Sequence, residues 1–364
     1  MTVSSVPRPR VLWVDLVRTA AAFWVVFAHV SMNIVNYWDK KPLIRGDPQW
    51  WTTGLVYGFW ARAALSLFFL ISGYLLLSMP PTDILTFLKR RLWKIIVPLL
   101  FWGTFYILWN GGYPPDFFKA VKFIARSIYT GDVEFHLWFF YAFLGLYLFV
   151  PVLQIFLKSA RESDLWYVVA VWFIVGPLAS LAYMATGRMV AIGGLGYFSG
   201  FLGSFLLGYL LGKKEIGRKW VVAGWILIPL TVAAETIYLY AQTDADKFMN
   251  DAWFDSLAIN VVFYTFWMFI VLKDLGIRIQ NKLRPDSKLP IWLEKLSRLS
   301  FGVILVHIFV RSVMYEGIAG FHLAPYDFHP IVSIPIVAIV MYALSCLLVG
   351  LLQRIPILRY IVPS

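Results

Sequence analysis

Long apolar stretches run through almost the whole chain and limit what it can fold into. A helix that crosses the roughly 30 Å hydrocarbon core of a bilayer needs about 20 mainly apolar residues. Ten stretches meet this requirement, near residues 12–36, 54–78, 92–109, 137–157, 165–185, 194–212, 220–240, 254–272, 299–316 and 331–352. We therefore predict an all-α, polytopic integral membrane protein with about ten transmembrane helices.

The alternative membrane architecture, a β-barrel, does not fit. Barrel strands alternate apolar and polar residues over about ten positions, whereas Leu65–Leu77 and Phe139–Val150 are continuously apolar. The chain is 60% hydrophobic and 14% charged, which leaves too little polar sequence for a separate water-solvated domain. We expect one transmembrane domain over 1–364 with no fused soluble domain, and a first apolar run that is kept as a helix because no small-residue cleavage site follows it.

The charged residues predict an orientation. With ten spans, both termini lie on one side, and the following cations fall on that side: Arg8, Arg10, Lys89, Arg90, Arg91, Lys94, Lys158, Arg161, Lys213, Lys214, Arg218, Lys219, Arg354, Arg359 and those of the loop 273–298. The opposite loops carry Asp39, Asp47, Asp116, Asp132, Glu134, Asp244, Asp246, Asp251, Asp255 and Asp327. Cytoplasmic loops are enriched in Lys and Arg, so both termini are predicted to be cytoplasmic. The net charge of +12 then reflects topology and contact with anionic lipid, and nucleic acid is not expected as a partner.

The sequence also contains three long predicted loops and one cysteine. The outer loops near 37–53 and 110–136 are large enough to cap a site, and the inner loop near 273–298 is basic. Within the second loop, Phe117–Tyr129 is amphipathic and could lie along the membrane interface. Cys346 is the single cysteine, which excludes an intramolecular disulfide and a cysteine-rich metal cluster; we expect it to be a small buried apolar residue, and we expect no metal site.

The first apolar helix carries one polar stripe. Asp15, Arg18, His29 and Asn33, with Ala22 and Val25 between them, recur every three or four residues, so the stripe must face the bundle interior. Arg18 and His29 are separated by three turns, about 16 Å along the axis. Arg18 could simply reach the inner interface with Asp15 as its partner, and His29 could be a hydrogen-bonded structural residue. The interpretation of His29 as functional is the stronger one, because an ionisable group this deep in the membrane is expensive to keep.

Four further ionisable residues should lie at a similar depth in the outer half of the membrane. They are Arg62, Glu235, His307 and Arg311. A histidine titrates near neutral pH, which suits a general base. The structural alternative is a set of interhelical ion pairs, such as Glu235 with Arg62 or Arg311.

Three short motifs have both a structural and a functional interpretation. Lys89-Arg90-Arg91-Leu-Trp-Lys94 could be an ordinary positive anchor at the inner face or a seat for a phosphate-bearing donor. Phe69-Leu-Ile-Ser72-Gly73-Tyr74 could serve helix packing or let a slender ligand approach. His136-Leu-Trp138-Phe139 could be an aromatic anchor at the outer interface or part of a site.

Together these segments resemble the membrane-bound acyltransferase-3 family of glycan O-acyltransferases over nearly the whole chain. The resemblance rests on Asp15-Leu-Val-Arg18 followed by ten residues and His29, on the three motifs above, with the cationic one continuing to Pro98, and on Ser300-Phe-Gly302-Val-Ile-Leu-Val-His307. The family often has Arg-x-x-Arg where this chain has Arg91-Leu-Trp-Lys94, and lysine lacks the bidentate fork of arginine. The chain is most similar to the compact branch that includes enterobacterial common antigen O-acetyltransferases.

The resemblance implies a multi-pass enzyme of the bacterial inner membrane that moves an acyl group, usually acetyl, from cytoplasmic acyl-CoA to a carbohydrate or lipid-linked glycan outside. It implies the first-helix histidine as base and inner-face arginines as donor contacts, with acetyl-CoA as co-substrate and no bound cofactor. We expect His29, Arg62, His307 and Arg311 to be catalytic. Donor binding is expected at Arg18, Ser72, Arg90, Arg91 and Lys94, with support from Asp15, Glu235, His136 and Trp138.

Two other functions fit parts of the same pattern. A proton-coupled secondary transporter would also place His, Arg and Glu at mid-membrane, although the sequence shows no inverted repeat and no paired broken helices. A non-catalytic partner in polysaccharide export would not depend on His29. Binding of acyl-CoA that needs no proton gradient would distinguish the enzyme from the transporter.

Overall fold

The computed structural model describes residues 11–36, 47–80, 83–186, 200–242, 251–318 and 320–364. Every regular element in these ranges is helical, which confirms the predicted all-α polytopic class. The helices are α1 (Leu12–Asn36), α2 (Pro48–Ala61), α3 (Ala64–Leu77), α4 (Ile84–Asn110), α5 (Phe117–Thr130), α6 (Trp138–Phe156), α7 (Glu162–Phe173), α8 (Ala179–Thr186), α9 (Leu202–Lys213), α10 (Arg218–Gln242), α11 (Ile259–Lys282), α12 (Leu289–Glu316) and α13 (Pro330–Arg354).

Nine segments of the described part are long and apolar enough to cross a membrane, and they match nine of the ten predicted spans. They are Leu12–Asn36, Pro48–Leu77, Ile84–Asn110, Phe135–Phe156, Glu162–Met184, Arg218–Ala241, Ile259–Lys282, Leu289–Glu316 and Pro330–Arg354. The remaining predicted span, 194–212, lies partly outside the described residues. Its described part is α9, an apolar helix of 12 residues.

Two of these spans are interrupted. The second breaks into α2 and α3 at Arg62 and Ala63. The fifth contains a π-helical segment, Ile174–Leu178, between α7 and α8, where Pro177 lacks the backbone donor that a regular helix needs. The sequence analysis did not predict either break, although Pro177 is a local signal for the second one. Irregular backbone at membrane depth is tolerated only inside protein or against a cavity, so these interruptions point to a site between them.

Helix α1 is the centre of the bundle. It packs against α2, α3, α11, α12 and α13. Its small and β-branched residues, among them Val17, Ala21, Ala22 and Val26, are almost completely buried. The predicted polar stripe lies among these buried residues, because Asp15 and Asn33 are also buried. Asn33 donates from Nδ2 to the carbonyl oxygen of His29 at 2.6 Å, so its side-chain amide is hydrogen-bonded within the same helix.

Helices α3 and α9 are in backbone contact at two glycines. A Cβ atom added to Gly73 would lie 1.9 Å from the carbonyl oxygen of Phe205, and one added to Gly208 would lie 2.0 Å from that of Leu70. Small residues allow such close approach between membrane helices. Gly73 in the 69–74 motif therefore serves helix packing.

Several predicted boundaries are wrong. Helix α11 continues to Lys282 and α12 begins at Leu289, so most of the predicted inner loop 273–298 is helical. Both extensions are polar enough to continue outside the hydrocarbon, and the sequence count therefore missed them. In the predicted loop 37–53, residues 37–46 lie outside the described ranges, and Asp47 caps α2 by accepting from the Gln49 backbone N–H at 2.8 Å. The charges at Arg8, Arg10, Asp39, Asp244 and Asp246 also lie outside the described residues.

Lys273 is the clearest departure from the predicted inner loop. It is 4% exposed, and its Nζ donates to the carbonyl oxygens of Leu211 and Gly212 at 2.8 Å and of Lys214 at 2.6 Å. These are carbonyls at the C-terminal end of α9, which have no partner within their helix. A lysine can satisfy them and complement the negative end of the helix dipole, so Lys273 joins α9 to α11.

Replacing Gly73 with alanine should destabilise the protein. The new methyl group must displace the α9 backbone, and overpacking of this kind costs about 1–3 kcal/mol. The matched control is Gly145→Ala in α6, where an added Cβ meets no atom within 4 Å and alanine is the better helix former. Thermal unfolding of both purified variants in detergent, followed by size exclusion, measures the difference. Equal melting temperatures for Gly73→Ala and wild type would contradict the packing described.

Candidate active site

Three histidines from three different helical segments are in contact inside the bundle. The ring centroids of His29 and His307 are 5.1 Å apart, and those of His307 and His136 are also 5.1 Å apart. His307 is completely buried and His136 is 4% exposed, whereas the His29 ring lies on the wall of a cavity. His136 also contributes to this wall, so a substrate can approach two members of the cluster, and His307 lies behind them.

The backbone of α12 determines the hydrogen bonding of His307. Its Nδ1 lies 2.9 Å from the carbonyl oxygen of Ile304 and 3.2 Å from that of Val303. Carbonyl oxygens only accept, so Nδ1 must carry a proton. In the neutral ring Nε2 then keeps a free lone pair, and this atom has no hydrogen-bond partner in the described part of the chain. His307 is thereby prepared to accept a hydrogen bond from a group in the cluster.

Tyr106 supports the cluster from α4. Its hydroxyl donates to the carbonyl oxygen of Leu305 at 2.7 Å and accepts from the backbone N–H of Phe309 at 3.2 Å. The Tyr106 ring also lies edge-on to His136, with centroids 5.1 Å apart. One fully buried side chain thus holds both the α12 backbone around His307 and the ring of His136.

Two arginines lie beside the histidines. Arg62, at the break between α2 and α3, lies on the wall of the cavity, with its Cζ 4.7 Å from the centroid of the Phe254 ring. Arg311 lies with its Cζ 5.7 Å from the centroid of Phe135, whose ring is in turn 5.2 Å from that of His29. Both positive charges are close enough to act electrostatically on His29.

Glu235 provides the negative charge of this region. It is 7% exposed, and Arg62 and the side chain of Asn260 are its polar neighbours. Arg62 therefore lies near Glu235 as well as on the cavity wall. Arg311 lies on the other side of the cluster, near Phe135.

A cavity of about 1000 Å³ opens beside the cluster, at the large end of the range for small-molecule sites. Its wall includes His29, Arg62, His136 and Trp138, and the interrupted segments contribute Gly176 and Ala179. It also includes Asn36 at the end of α1 and Ala258 just before α11. These helix ends lie in the half of the bundle opposite Lys94, so the cavity belongs to that half.

A second group of polar residues lies at the other end of α1. The charges of Arg18 and Arg91 act on Lys94 and on Tyr147, and Asp15 is the anion next to Arg18. Lys94 Nζ donates to a backbone oxygen of Ser364 at 3.2 Å, and Arg91 Nη2 lies 3.3 Å from Met79 Sδ. Three cations with one nearby aspartate form a place where an anion would be favoured. Tyr147 was not among the predicted residues.

Three of the predicted residues contribute less directly. Arg90 is exposed, and no contact in the described part joins it to Arg91 or Lys94. Ser72 is half-buried beside the packing glycine Gly73, away from any described cavity wall. Trp138 lies on the wall of the cavity, where its ring stacks on Phe201 with centroids 5.7 Å apart.

The cavity wall from the fifth span and from residues 254–258 was not predicted. Phe254, Asp255 and Ser256 precede α11, and Tyr183 and Met184 end the fifth span. Asp255 was counted only as an outer-loop charge, and no motif distinguishes the other four in the sequence. Pro177 was the one local signal, since a proline in an apolar span disturbs the helix. Phe135 and Tyr106 could not be identified from sequence because their role depends on which helices meet.

Comparisons with known proteins bear on the same residues. A family model for an acyltransferase domain, the acyltransferase-3 model, matches residues 11–350. No curated protein and no solved structure shows significant similarity to the chain. The matched region contains both polar groups described above.

Replacing Glu235 with glutamine should destabilise the protein, because Arg62 then loses its buried negative neighbour. A buried charge without its neighbour is destabilising, so the loss should exceed the roughly 1 kcal/mol that an exposed pair contributes at most. The matched control is Glu162→Gln, which removes a carboxylate from an exposed ion pair with Lys214 and should cost at most about 1 kcal/mol. Thermal unfolding in detergent compares the two variants. Equal losses in stability would contradict the buried pairing.

Proposed function

The chain belongs to the acyltransferase-3 family, and from that premise we propose that it moves an acyl group, acetyl in the first instance, from acyl-CoA to a hydroxyl of a glycan. His29 acts as the general base. The observation that carries this proposal is the position of His29 on the wall of a large cavity, with His307 directly behind it. A base needs access to its substrate and a partner that orients it, and this arrangement supports both.

The chemical step is a direct transfer of the acyl group from the sulfur atom of coenzyme A to the hydroxyl oxygen of the acceptor. The hydroxyl oxygen of the acceptor attacks the carbonyl carbon of the thioester while His29 takes the hydroxyl proton. The C–S bond then breaks, the acyl group stays on the acceptor oxygen, and the coenzyme A thiolate recovers the proton. His307 acts as a positioning residue, because its Nε2 lone pair can accept a hydrogen bond from the His29 ring and orient it.

A negative charge develops on the carbonyl oxygen during this attack and must be stabilised. Arg62 is the better-placed candidate for this task, since it shares the cavity wall with His29. Arg311 lies behind Phe135 and adds positive potential. Glu235, with Asn260 beside it, lies near Arg62, and His136 packs against His307.

The phosphates of the donor bind to the cations at the other end of α1. Arg91 and Lys94 are the contacts that the geometry favours, with Arg18 deeper in the bundle and Tyr147 beside it. The exposed Arg90 adds long-range attraction. Ser72 does not contact the phosphates in this proposal and lies only near the route of the acyl donor.

Arg18 and His29 are about 16 Å apart along the helix, a distance that an extended pantetheine arm can span. The cavity wall reaches inward to Val25, while Ala21 and Ala22 below it are fully buried. The arm therefore has to separate α1 from its neighbours at these two alanines. Their small side chains make this the segment of α1 that obstructs such a path least.

We also propose where the protein lies in the cell. The protein would span a bacterial inner membrane many times, with the cation group and both termini on the cytoplasmic side and the cavity on the outer side. The acceptor would be a surface or lipid-linked glycan. No bound cofactor is needed for this chemistry, because the donor already carries an activated acyl group.

Two rival functions remain as outcomes of the tests. The break at Arg62 in the second span, next to a buried carboxylate, is also a feature of proton-coupled carriers. A carrier would transport glycan or anion only with a gradient and would not consume acyl-CoA. A partner in polysaccharide export would work normally without His29.

Replacing His29 with glutamine should reduce transfer by about two to four orders of magnitude, the usual share of general acid–base catalysis. Purified protein in liposomes is supplied with radiolabelled acetyl-CoA and membrane glycans, and labelled glycan is counted. His322→Gln is the matched control, because His322 is half exposed and pairs with Asp327 away from the cavity. Near-wild-type labelling by folded His29→Gln protein would refute the assigned base.

Changes at Lys94 should alter donor affinity without changing the chemical step. Lys94→Gln should raise KM for acyl-CoA about tenfold or more, since hydrogen bonds to charged groups contribute about 1.5–3 kcal/mol. Lys94→Arg should keep or lower KM, because guanidinium binds phosphate through two parallel hydrogen bonds. Lys89→Gln, on the same helix and exposed, is the control. A KM unchanged in Lys94→Gln would place the donor elsewhere.

A further inference from the structure

Helix α5 is a short surface helix with three distinct faces. Ser127 is buried, and Ala120, Ile124 and Ile128 are partly buried, so this side faces the protein. Phe117 and Phe118 are 72% and 80% exposed, and Val121 is 50% exposed. Lys119, Lys122 and Arg126, spaced three and four residues apart, are exposed on a third side. With 14 residues, α5 is too short to cross a bilayer.

The two outward faces need different surroundings. Phenylalanines this exposed are favourable where they enter the boundary between the lipid headgroups and acyl chains. An amphipathic helix lies in the plane of that interface. The cations then lie at the level of the lipid phosphates. Within the described part of the chain, none of the three forms an ion pair with an Asp or Glu side chain. Their charge is therefore available to a partner outside the protein.

We propose that Lys119, Lys122 and Arg126 of α5 bind the phosphate of an anionic phospholipid in the leaflet at the cavity end of the bundle, while Phe117 and Phe118 contact its acyl chains. Charge complementarity favours this occupant over a neutral lipid. Helix rise places Lys119 and Arg126 about 10 Å apart, so the three cations form a compact site.

The same helix is fixed firmly to the rest of the protein. Tyr141 donates from its hydroxyl to the carbonyl oxygen of Ile128 at 2.6 Å. Asn110, at the end of α4, donates to Glu134 at 2.6 Å. The turn at Gly131, with φ of 78°, leads within five residues to Phe135 and His136. A lipid bound at α5 would therefore hold the segment that carries His136 of the histidine cluster and its neighbour Phe135.

Lipid binding at α5 can be measured locally with the full-length protein. In a Cys346→Ser background, Tyr129→Cys is labelled with a small fluorophore, because Tyr129 is 89% exposed at the end of α5. The protein is placed in nanodiscs that contain headgroup-spin-labelled phosphatidylglycerol or phosphatidylcholine. We expect phosphatidylglycerol to quench the fluorophore at a mole fraction at least tenfold lower, since each cation near a surface adds roughly a fivefold preference.

Two charge variants test the assignment. Lys119→Gln/Lys122→Gln/Arg126→Gln should abolish the preference for phosphatidylglycerol. Lys282→Gln/Arg284→Gln/Lys288→Gln removes the same charge from exposed positions at and after the end of α11, and the preference should remain. Raising the salt concentration should weaken the preference of the unmodified helix, which tests the site without any substitution. Equal quenching by the two lipids in the unmodified helix, or an unchanged preference in the α5 variant, would overturn the proposal.

Discussion

The burial of α1 among five other helices is the packing on which the rest of the structure depends. A bilayer offers no water to solvate charge, so each ionisable residue in a span must find its partners inside the protein. By lying at the centre, α1 can carry Arg18 near one end and His29 near the other on its buried side. Several helices and the segment before α6 then supply the neighbours: Arg91, Lys94 and Tyr147 around Arg18, and His307, Arg62 and Phe135 around His29.

The cavity exists because two spans depart from regular helix beside α1. The break at Arg62 brings a guanidinium to the cavity wall and leaves irregular backbone that only a polar or enclosed space can accept. The π segment around Pro177 opens the opposite wall. Close packing elsewhere compensates for this open space, most clearly where Gly73 and Gly208 let α3 and α9 touch and where Lys273 caps α9. The bundle therefore combines a cavity beside α1 with close helix packing between α3 and α9.

The helices of this fold could be predicted from sequence to a large extent, and the site in part. Apolar length alone identified nine spans, because the bilayer imposes one simple rule on every helix. The periodic stripe on α1 identified Arg18 and His29, and buried charge identified Arg62, Glu235, His307 and Arg311. Tyr106, Phe135 and Tyr147 remained hidden, because an aromatic residue in an apolar helix has no distinguishing local signal. Their roles arise only when helices distant in sequence meet.

The ends of the helices and the two breaks could not be predicted for a related reason. Hydropathy reports which residues are apolar enough for hydrocarbon, whereas α11 and α12 continue through polar residues beyond their apolar stretches. Lys273 was assigned to a loop by its charge, yet the carbonyls at the end of α9 provide it with three acceptors. His136 was assigned as an anchor or a supporting residue by its position near the interface. Its contact with His307 gives it a closer part in the cluster.

The central claim is that donor and acceptor meet at His29 from opposite faces of the membrane. The most direct test is a sidedness assay in sealed proteoliposomes of known orientation, with acyl-CoA and a soluble glycan, neither of which crosses the bilayer. The account predicts acylated glycan when acyl-CoA is on the Lys94 side and glycan is on the side of the cavity, and none when the two are exchanged. Acylation with both substrates supplied only on one side would contradict it.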